Sequence, residues 1–141
     1  MFVNERFVLD SKTKNYIYSL KPNFGYNGFG ELVFYRTYSR NINGRQESWN
    51  DVCIRVTEGT FSIRKDWYIK NHINWDEDYW QDYAKEFIEY LFNMYWLPPG
   101  RGLWAMGTDF IYQRGSMALY NCAACKISDN IGDDIAWLMD C

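Results

Sequence analysis

Four cysteines and one histidine are the first candidates for chemistry in this sequence of 141 residues. The cysteines are Cys53, Cys122, Cys125 and Cys141, and the histidine is His72. A single imidazole removes most metal sites built on histidine, and any catalytic triad would have to use this one residue. Cys122 and Cys125 have the spacing C-x-x-C, which occurs in dithiol redox sites and as one half of zinc sites. The first question is therefore whether Cys122 and Cys125 form a redox site or part of a zinc site.

The sequence around this pair does not favour a thioredoxin-like site. That site places C-x-x-C at the start of a helix, where the helix N-terminus lowers a thiol pKa. Residues 117–125 are instead apolar and predict a short, largely buried strand. Positions i and i+3 of a strand point to opposite faces, so the two sulfurs would not pair. Cys53 and Cys141 are isolated, so we expect no metal site, and we interpret Cys125 as a buried thiol.

Two helices are predicted upstream of these thiols. Over residues 48–58, Ser48 and Asp51 form a capping box, and Gly59 is expected to end the helix. The apolar residues of one face are Trp49, Val52, Cys53 and Val56. Over residues 75–96, Asn74 is the expected cap and the sequence Pro-Pro-Gly at 98–100 the expected stop. Two apolar rows predict a broad core face there, one at 75, 79, 83, 87, 91 and 95 and the other at 80, 84, 88, 92 and 96.

The remaining segments give weaker patterns. Residues 1–24 read as an N-terminal arm with one short helix, and residues 129–140 as a last helix. The glycine-rich stretch 25–30 does not follow the order G-x-G-x-x-G, which favours a flexible turn over a phosphate cradle. Residues 31–38 are aromatic and β-branched, and their pattern does not decide between strand and helix.

Composition narrows the classes of protein. Hydrophobic residues make up 48% of the chain, which is enough apolar surface to argue against disorder. The net charge of −3 offers no positive field for nucleic acid, so we expect no nucleic-acid partner. The sequence has no apolar run of membrane-spanning length, and it does not begin like a signal peptide. We therefore expect a soluble, cytoplasmic protein without a membrane partner, in which the cysteines remain thiols.

A family resemblance is found in the sequence after residue 97. Residues 98–109 (PPGRGLWAMGTD), followed by Arg114-Gly115, Ala118-Leu119 and Asn121-Cys122, resemble the N-terminal part of adenosylcobalamin-dependent (class II) ribonucleotide reductases. The resemblance is greatest to the ribonucleoside-triphosphate reductase branch. Residues 35–40 (YRTYSR), 44–49 (GRQESW), 56–59 (VTEG) and 138–140 (LMD) fit the same family in order and approximate spacing.

The resemblance implies an α/β fold. Residues 1–97 would form an N-terminal arm and a mostly helical region, and residues 98–141 would begin a ten-stranded α/β barrel that is incomplete in this chain. Cys122 would lie on the first barrel strand as one cysteine of a redox pair. In this family a third cysteine, on a finger loop outside this chain, becomes a thiyl radical and takes hydrogen from the ribose 3′ carbon. Asn121 and Thr108 are the implied substrate contacts, although Asn121 could equally satisfy a strand end.

The same resemblance implies partners that the chain does not contain. They are a ribonucleoside tri- or diphosphate, a thioredoxin-type reductant, adenosylcobalamin bound outside this chain, and the missing C-terminal reductase segment. We expect the chain alone to be inactive. It would be a fragment, the product of a split gene, or the segment that precedes an intein, and Cys141 could be the first residue of that intein. Arg101 could attract phosphate or form a structural salt bridge. The alternatives are a non-catalytic interaction module and a small C-x-x-C thiol oxidoreductase.

Overall fold

Helices account for most of the computed structural model, which describes residues 3–120 and 124–140. In chain order the elements are α1 (Ser11–Ser19), α2 (Phe29–Thr37), β1 (Asn41–Ile42), β2 (Arg45–Gln46), α3 (Trp49–Lys70), α4 (Glu77–Phe92), α5 (Gly100–Ala105), α6 (Asp109–Arg114) and α7 (Ile131–Asp140). Short 3₁₀ helices lie at Tyr26–Gly28 and Ser116–Leu119. The mostly helical prediction is confirmed. Of residues 31–38, which the sequence left undecided, 31–37 belong to helix α2 and Tyr38 is its C-cap.

The core lies between α3 and α4, the two longest helices, which pack against each other. Fully buried side chains of α3 meet fully buried side chains of α4 there; they are Val52, Cys53, Val56, Ala84, Ile88 and Leu91. Burying one aliphatic side chain of this size contributes about 1.5–3 kcal/mol. Cys53 thus has the packing role that its place on the apolar stripe predicted.

Helix α3 begins as the sequence predicts and then continues past the predicted end. The Ser48 hydroxyl accepts a hydrogen bond from the Asp51 amide at 3.2 Å, and the Asp51 carboxylate accepts one from the Ser48 amide at 2.8 Å. Desolvation acts to raise the pKa of Asp51, but hydrogen bonds from Ser48 and Tyr18 and the charge of Arg45 outweigh it and hold that pKa below its ordinary value. The prediction that Gly59 ends the helix is wrong, because Gly59 is a buried interior residue whose missing side chain makes room for Gly107.

The predicted bounds of α4 are also wrong. Asp76, not Asn74, is its N-cap and accepts from the Tyr79 amide at 3.1 Å. The helix ends at Phe92, six positions before Pro98, because Met94 adopts φ 59° and closes a Schellman motif. In that motif the Tyr95 amide donates to the Tyr90 carbonyl at 3.0 Å.

One of the two apolar rows on α4 is only partly buried. Trp80, at 6% exposure, belongs to the buried row, whereas Tyr79 and Tyr83 are 56% and 47% exposed. The prediction of a core face wide enough for both rows is therefore wrong at Tyr79 and Tyr83. The buried stripe of a helix follows its packing partner, so the same row reaches the core at Leu91 and solvent at Tyr79 and Tyr83.

Residues 117–125 do not form the predicted strand in the part that the structure describes. Ser116–Leu119 is a 3₁₀ helix, and Tyr120 is 62% exposed. A strand needs a hydrogen-bonded neighbour, and the one sheet in the described ranges is the hairpin of β1 and β2 at Asn41–Gln46. Asn121, Cys122 and Ala123 lie outside the described residues. The predicted last helix is confirmed as α7.

His72 closes a Schellman motif at the end of α3, with φ 57°. A side chain in this left-handed conformation costs roughly 1 kcal/mol, which glycine avoids. We expect His72→Gly to raise the free energy of unfolding by about 0.5–1 kcal/mol, as measured by urea denaturation. Asn71→Gly is the matched control, because φ is −97° at that neighbouring position and glycine relieves no strain there. Equal effects of the two substitutions would contradict this explanation.

An extended N-terminal segment lies along α3 and is held by a ladder of side-chain acceptors. The bonds run from the Leu9 amide to Glu58 (3.0 Å), from the Phe7 amide to Ser62 (3.0 Å) and from the Glu5 amide to Asp66 (3.3 Å). Asp66 also accepts from the Asn4 amide at 2.9 Å. The acceptors recur every four residues, because four residues of helix advance about 6.0 Å and two residues of extended chain about 6.6 Å. The two periods match closely enough to fix the segment in one register.

Asp66 is the end of this ladder that responds to pH. Desolvation acts to raise its pKa, but hydrogen bonds from Lys70 and from the amides of Asn4 and Glu5 outweigh it and lower the pKa. A lowered carboxyl pKa contributes stability above the ordinary value of about 3.9 and loses it as the pH falls through the folded value. We expect Asp66→Asn to cost about 1–3 kcal/mol at pH 7 in urea denaturation, with the difference from wild type shrinking below about pH 4.

The control for this pH prediction is Asp129→Asn, at an exposed loop position. We expect it to leave both the stability at pH 7 and the acid transition close to those of wild type. A stability difference between wild type and Asp66→Asn that stays constant from pH 7 to pH 3 would contradict the assignment.

Candidate functional site

The family-like run at residues 98–109 is held against α3 by Arg55. The Arg55 guanidinium donates one hydrogen bond to the Met106 carbonyl at 2.5 Å and another to the Leu103 carbonyl at 2.9 Å. Both carbonyls lie at the C-terminal end of α5, where backbone oxygens lack partners within the helix and a cation is favoured. One side chain therefore fixes the place where α5 ends.

Glu47 holds Arg55 in this orientation. Its two carboxylate oxygens accept from Nε of Arg55 at 2.7 Å and from Nη2 at 3.0 Å. The side chains are 11% and 5% exposed, so this bidentate pair is nearly withdrawn from solvent. Glu47 also accepts from the Arg40 amide at 3.2 Å, which ties the pair to the residues just before the hairpin. Sequence reasoning did not identify Arg55 or Glu47.

Two facing glycines let the turn after α5 approach α3 closely. Gly107 has φ +77°, and a Cβ atom built on it would lie 2.2 Å from the Arg55 carbonyl oxygen. A Cβ atom built on Gly59 would lie 2.4 Å from the Gly107 nitrogen. No side chain fits at either position without movement of the backbone, so α3 and the turn meet backbone to backbone.

Thr108 and Arg101 are the predicted site residues that the structure describes. Thr108 is buried at the start of α6, and its hydroxyl donates to the Ala105 carbonyl at 2.7 Å. Arg101 extends from α5 and donates to the Tyr120 carbonyl at 2.9 Å. The bond from Arg101 reaches the residue immediately before Asn121. Asn121 and Cys122 themselves lie outside the described residues, so their roles stay predictions.

The described cysteines are not arranged for thiol chemistry with each other. Cys53 is fully buried, and desolvation raises the pKa of its thiol, which keeps it protonated. Cys125 is half-buried and its thiol donates to the Asp134 carbonyl at 3.7 Å, next to α7. Within residues 3–120 and 124–140, histidine, cysteine and acidic side chains form no group of three that could hold a metal ion.

Two grooves open on other faces of the described structure. One, of about 370 Å³, is apolar and is lined by residues including Phe34, Trp49 and Leu97. The other, of about 490 Å³, is lined by residues including Arg64 and Trp67. Neither groove is lined by Thr108 or Arg101, so the predicted substrate contacts do not converge on either one. No helix in the described part of the chain combines the length and apolar character that a membrane span requires.

Comparisons with known proteins match the chain to one family. The model of the ribonucleotide reductase alpha domain matches residues 9–108. An adenosylcobalamin-dependent ribonucleoside-triphosphate reductase of Euglena gracilis is 43% identical over 122 residues, which cover 84% of this chain and 17% of that protein. A probable enzyme of the same name from Dictyostelium discoideum is 34% identical over 85% of this chain and 16% of its own length.

A comparison of three-dimensional structures matches the chain to the same family. A B-12 dependent (class II) ribonucleotide reductase superimposes with a TM-score of 0.67 and 27% sequence identity. The match covers 82% of this chain and 16% of that one. The chain thus spans less than a fifth of the length of these relatives, and its helices are arranged as in the matching part of the solved enzyme.

Proposed function

Because this chain belongs to the ribonucleotide reductase alpha-domain family, we propose that it forms the N-terminal part of an adenosylcobalamin-dependent ribonucleoside-triphosphate reductase. The observation that carries the proposal is the match to the Euglena gracilis enzyme over 84% of this chain. The superposition on a class II enzyme supports it independently. The substrate would be a ribonucleoside triphosphate, with a diphosphate as the alternative, and the product the 2′-deoxyribonucleotide.

Within that enzyme, Cys122 supplies one of two reducing thiols. The two thiols lose two electrons and two protons and close to a disulfide. The ribose C2′–O bond breaks, C2′ gains a hydrogen, and the oxygen leaves as water. The proposal draws on the family-like block at residues 98–122, in which Cys122 matches the redox cysteine of the family's first barrel strand. A cytoplasmic location would provide the reducing compartment that the thiols need. A dithiol protein of the thioredoxin type would then reduce the disulfide.

Thr108 and Asn121 are the proposed substrate contacts. Thr108 lies in the first turn after the Gly107 contact, and its hydroxyl proton is already donated to Ala105. Its oxygen can therefore act only as an acceptor while that bond lasts. Asn121 follows Tyr120, whose carbonyl Arg101 holds, and an amide side chain at that point can both donate and accept.

Neither of the two grooves described above is large enough to enclose adenosylcobalamin. The larger of the two described grooves holds about 490 Å³, a volume typical of a drug-sized ligand, and a corrin with its axial groups is much larger. His72, the one imidazole, is exposed at the end of α3, away from the Arg55 contacts. We therefore place the cofactor site in the remainder of the reductase, together with most of the barrel.

The test is an assay of the reductase polypeptide that contains this segment. The purified enzyme is given each ribonucleoside triphosphate, adenosylcobalamin and a dithiol reductant, and deoxyribonucleotide is measured by chromatography. We expect product that requires both the cofactor and the reductant. A parallel assay with diphosphates distinguishes the two substrate classes. Absence of product with either class, from a folded enzyme, would contradict the proposal.

A further inference from the structure

We propose that Arg55, oriented by Glu47, is a positioning residue that sets the place of the segment leading to Cys122. This inference rests on the proposed function. Arg55 lies 67 positions before Cys122 in the sequence and is not a substrate contact. Its hydrogen bonds nevertheless determine where α5 ends, and the chain to Cys122 starts from that point.

Arg55 does more than neutralise the charge of Glu47, because it also bonds two backbone carbonyls at the end of α5. The bidentate bond to Glu47 already satisfies the charge of the guanidinium. The further donors reach the carbonyls of Leu103 and Met106, so the same planar group fixes two backbone points of the α5 end. A lysine ammonium has one nitrogen and cannot reproduce this fork.

A second arginine connects α5 to the neighbourhood of Cys122. Arg101 lies on α5 and donates to the Tyr120 carbonyl, two residues before Cys122. The 3₁₀ helix at Ser116–Leu119 also packs against α5 and α6. A continuous path of contacts therefore runs from Glu47 through Arg55, α5 and Arg101 to Tyr120. A shift of the α5 end would be passed along this path to Tyr120, the last described residue before Asn121 and Cys122.

The size of the expected effect follows from the chemistry. A displacement of about 1 Å from productive geometry can cost on the order of 100-fold in rate. Arg55 makes no contact with the nucleotide in this proposal, so its loss is expected to reduce the rate of the chemical step and to leave KM within about twofold of the wild-type value.

The experiment measures single turnover by the reductase that contains this segment. Pre-reduced enzyme is mixed with ribonucleoside triphosphate and adenosylcobalamin without added reductant, and deoxyribonucleotide is followed in time. The amplitude counts correctly folded, reduced sites, and the rate constant reports how well those sites are positioned. The variants are Arg55→Lys, Arg55→Met and Arg101→Met. The control is Arg45→Met, which removes an exposed cation that pairs with Asp51 in the first turn of α3 rather than with α5.

We expect Arg55→Lys to lower the rate constant by about 10–100-fold, and Arg101→Met to lower it in the same direction. Arg45→Met is expected to retain the wild-type rate constant. A lower rate constant supports the proposal whatever the amplitude. A wild-type rate constant in both Arg55→Lys and Arg101→Met would overturn it, even with a reduced amplitude, because only folding would then depend on these residues. An inactive wild-type enzyme would instead contradict the proposed function.

Discussion

Cys122→Ser is expected to abolish deoxyribonucleotide formation by the complete reductase. A serine hydroxyl cannot be oxidised to a disulfide, so the two electrons that remove the 2′-hydroxyl are no longer available. We expect turnover in the presence of cofactor and dithiol reductant to fall to the level of the reaction without enzyme. The measurement is product formation by chromatography, with circular dichroism to verify that the variant is folded.

Cys125→Ser is the matched control for this prediction. Its thiol is half-buried and donates to the Asp134 carbonyl, a bond that a hydroxyl can also make. We expect turnover within about twofold of wild type, because a replacement that keeps a weak surface hydrogen bond changes little. Normal turnover of Cys122→Ser would remove the catalytic assignment. Loss of turnover only in Cys125→Ser would move the assignment to that thiol.

Local signals in the sequence predicted the start of α3 and the existence of the main helices. A capping box requires only Ser48 and Asp51, which are three positions apart, so the pattern is visible without knowledge of the fold. The stripe containing Cys53 is likewise a property of one helix. These predictions are confirmed because every interaction on which they depend lies within a few residues along the chain.

The errors have tertiary causes. Gly59 was interpreted as a helix end because glycine is common there, but its real partner is Gly107, 48 positions later. The helical spacing of its aromatic side chains predicts that the α4 row containing Tyr79 and Tyr83 belongs to the core, and only packing decides that these two residues remain exposed. His72 and Met94 occupy the left-handed position after their helices, where glycine would be the usual sequence signal.

The pair of Arg55 and Glu47 shows why a site can be missed from sequence. Arg55 lies beside an apolar stripe, where a charge normally faces solvent, and nothing local indicates that residues 103–107 cover it. Glu47 belongs to the family-like run 44–49, which predicts no separate role for it. The sequence offers one signal for this pair. Arg55 is a charged residue next to a buried stripe, and the carboxylate of Glu47 lies eight positions before it.

Gly107→Ala is expected to cost about 2–5 kcal/mol of the free energy of unfolding. Two costs add at this position. Alanine is strained at φ +77°, by roughly 1–2 kcal/mol. Its methyl group would also lie 2.2 Å from the Arg55 carbonyl oxygen, and overpacking of this kind typically costs about 1–3 kcal/mol. The measurement is urea denaturation followed by circular dichroism.

Gly44→Ala separates the two costs of the Gly107 substitution. Gly44 has φ +82° in the turn between β1 and β2, and a Cβ atom there meets nothing within 4 Å. The control therefore carries the backbone strain without the clash, and we expect it to cost only about 1–2 kcal/mol. The remaining difference measures the contact between α3 and the turn after α5. Equal losses in the two variants would mean that the turn moves away from α3 at little cost. In that case Arg55 could not hold the segment in a defined place, and the positioning of Cys122 through α5 would lose its structural basis.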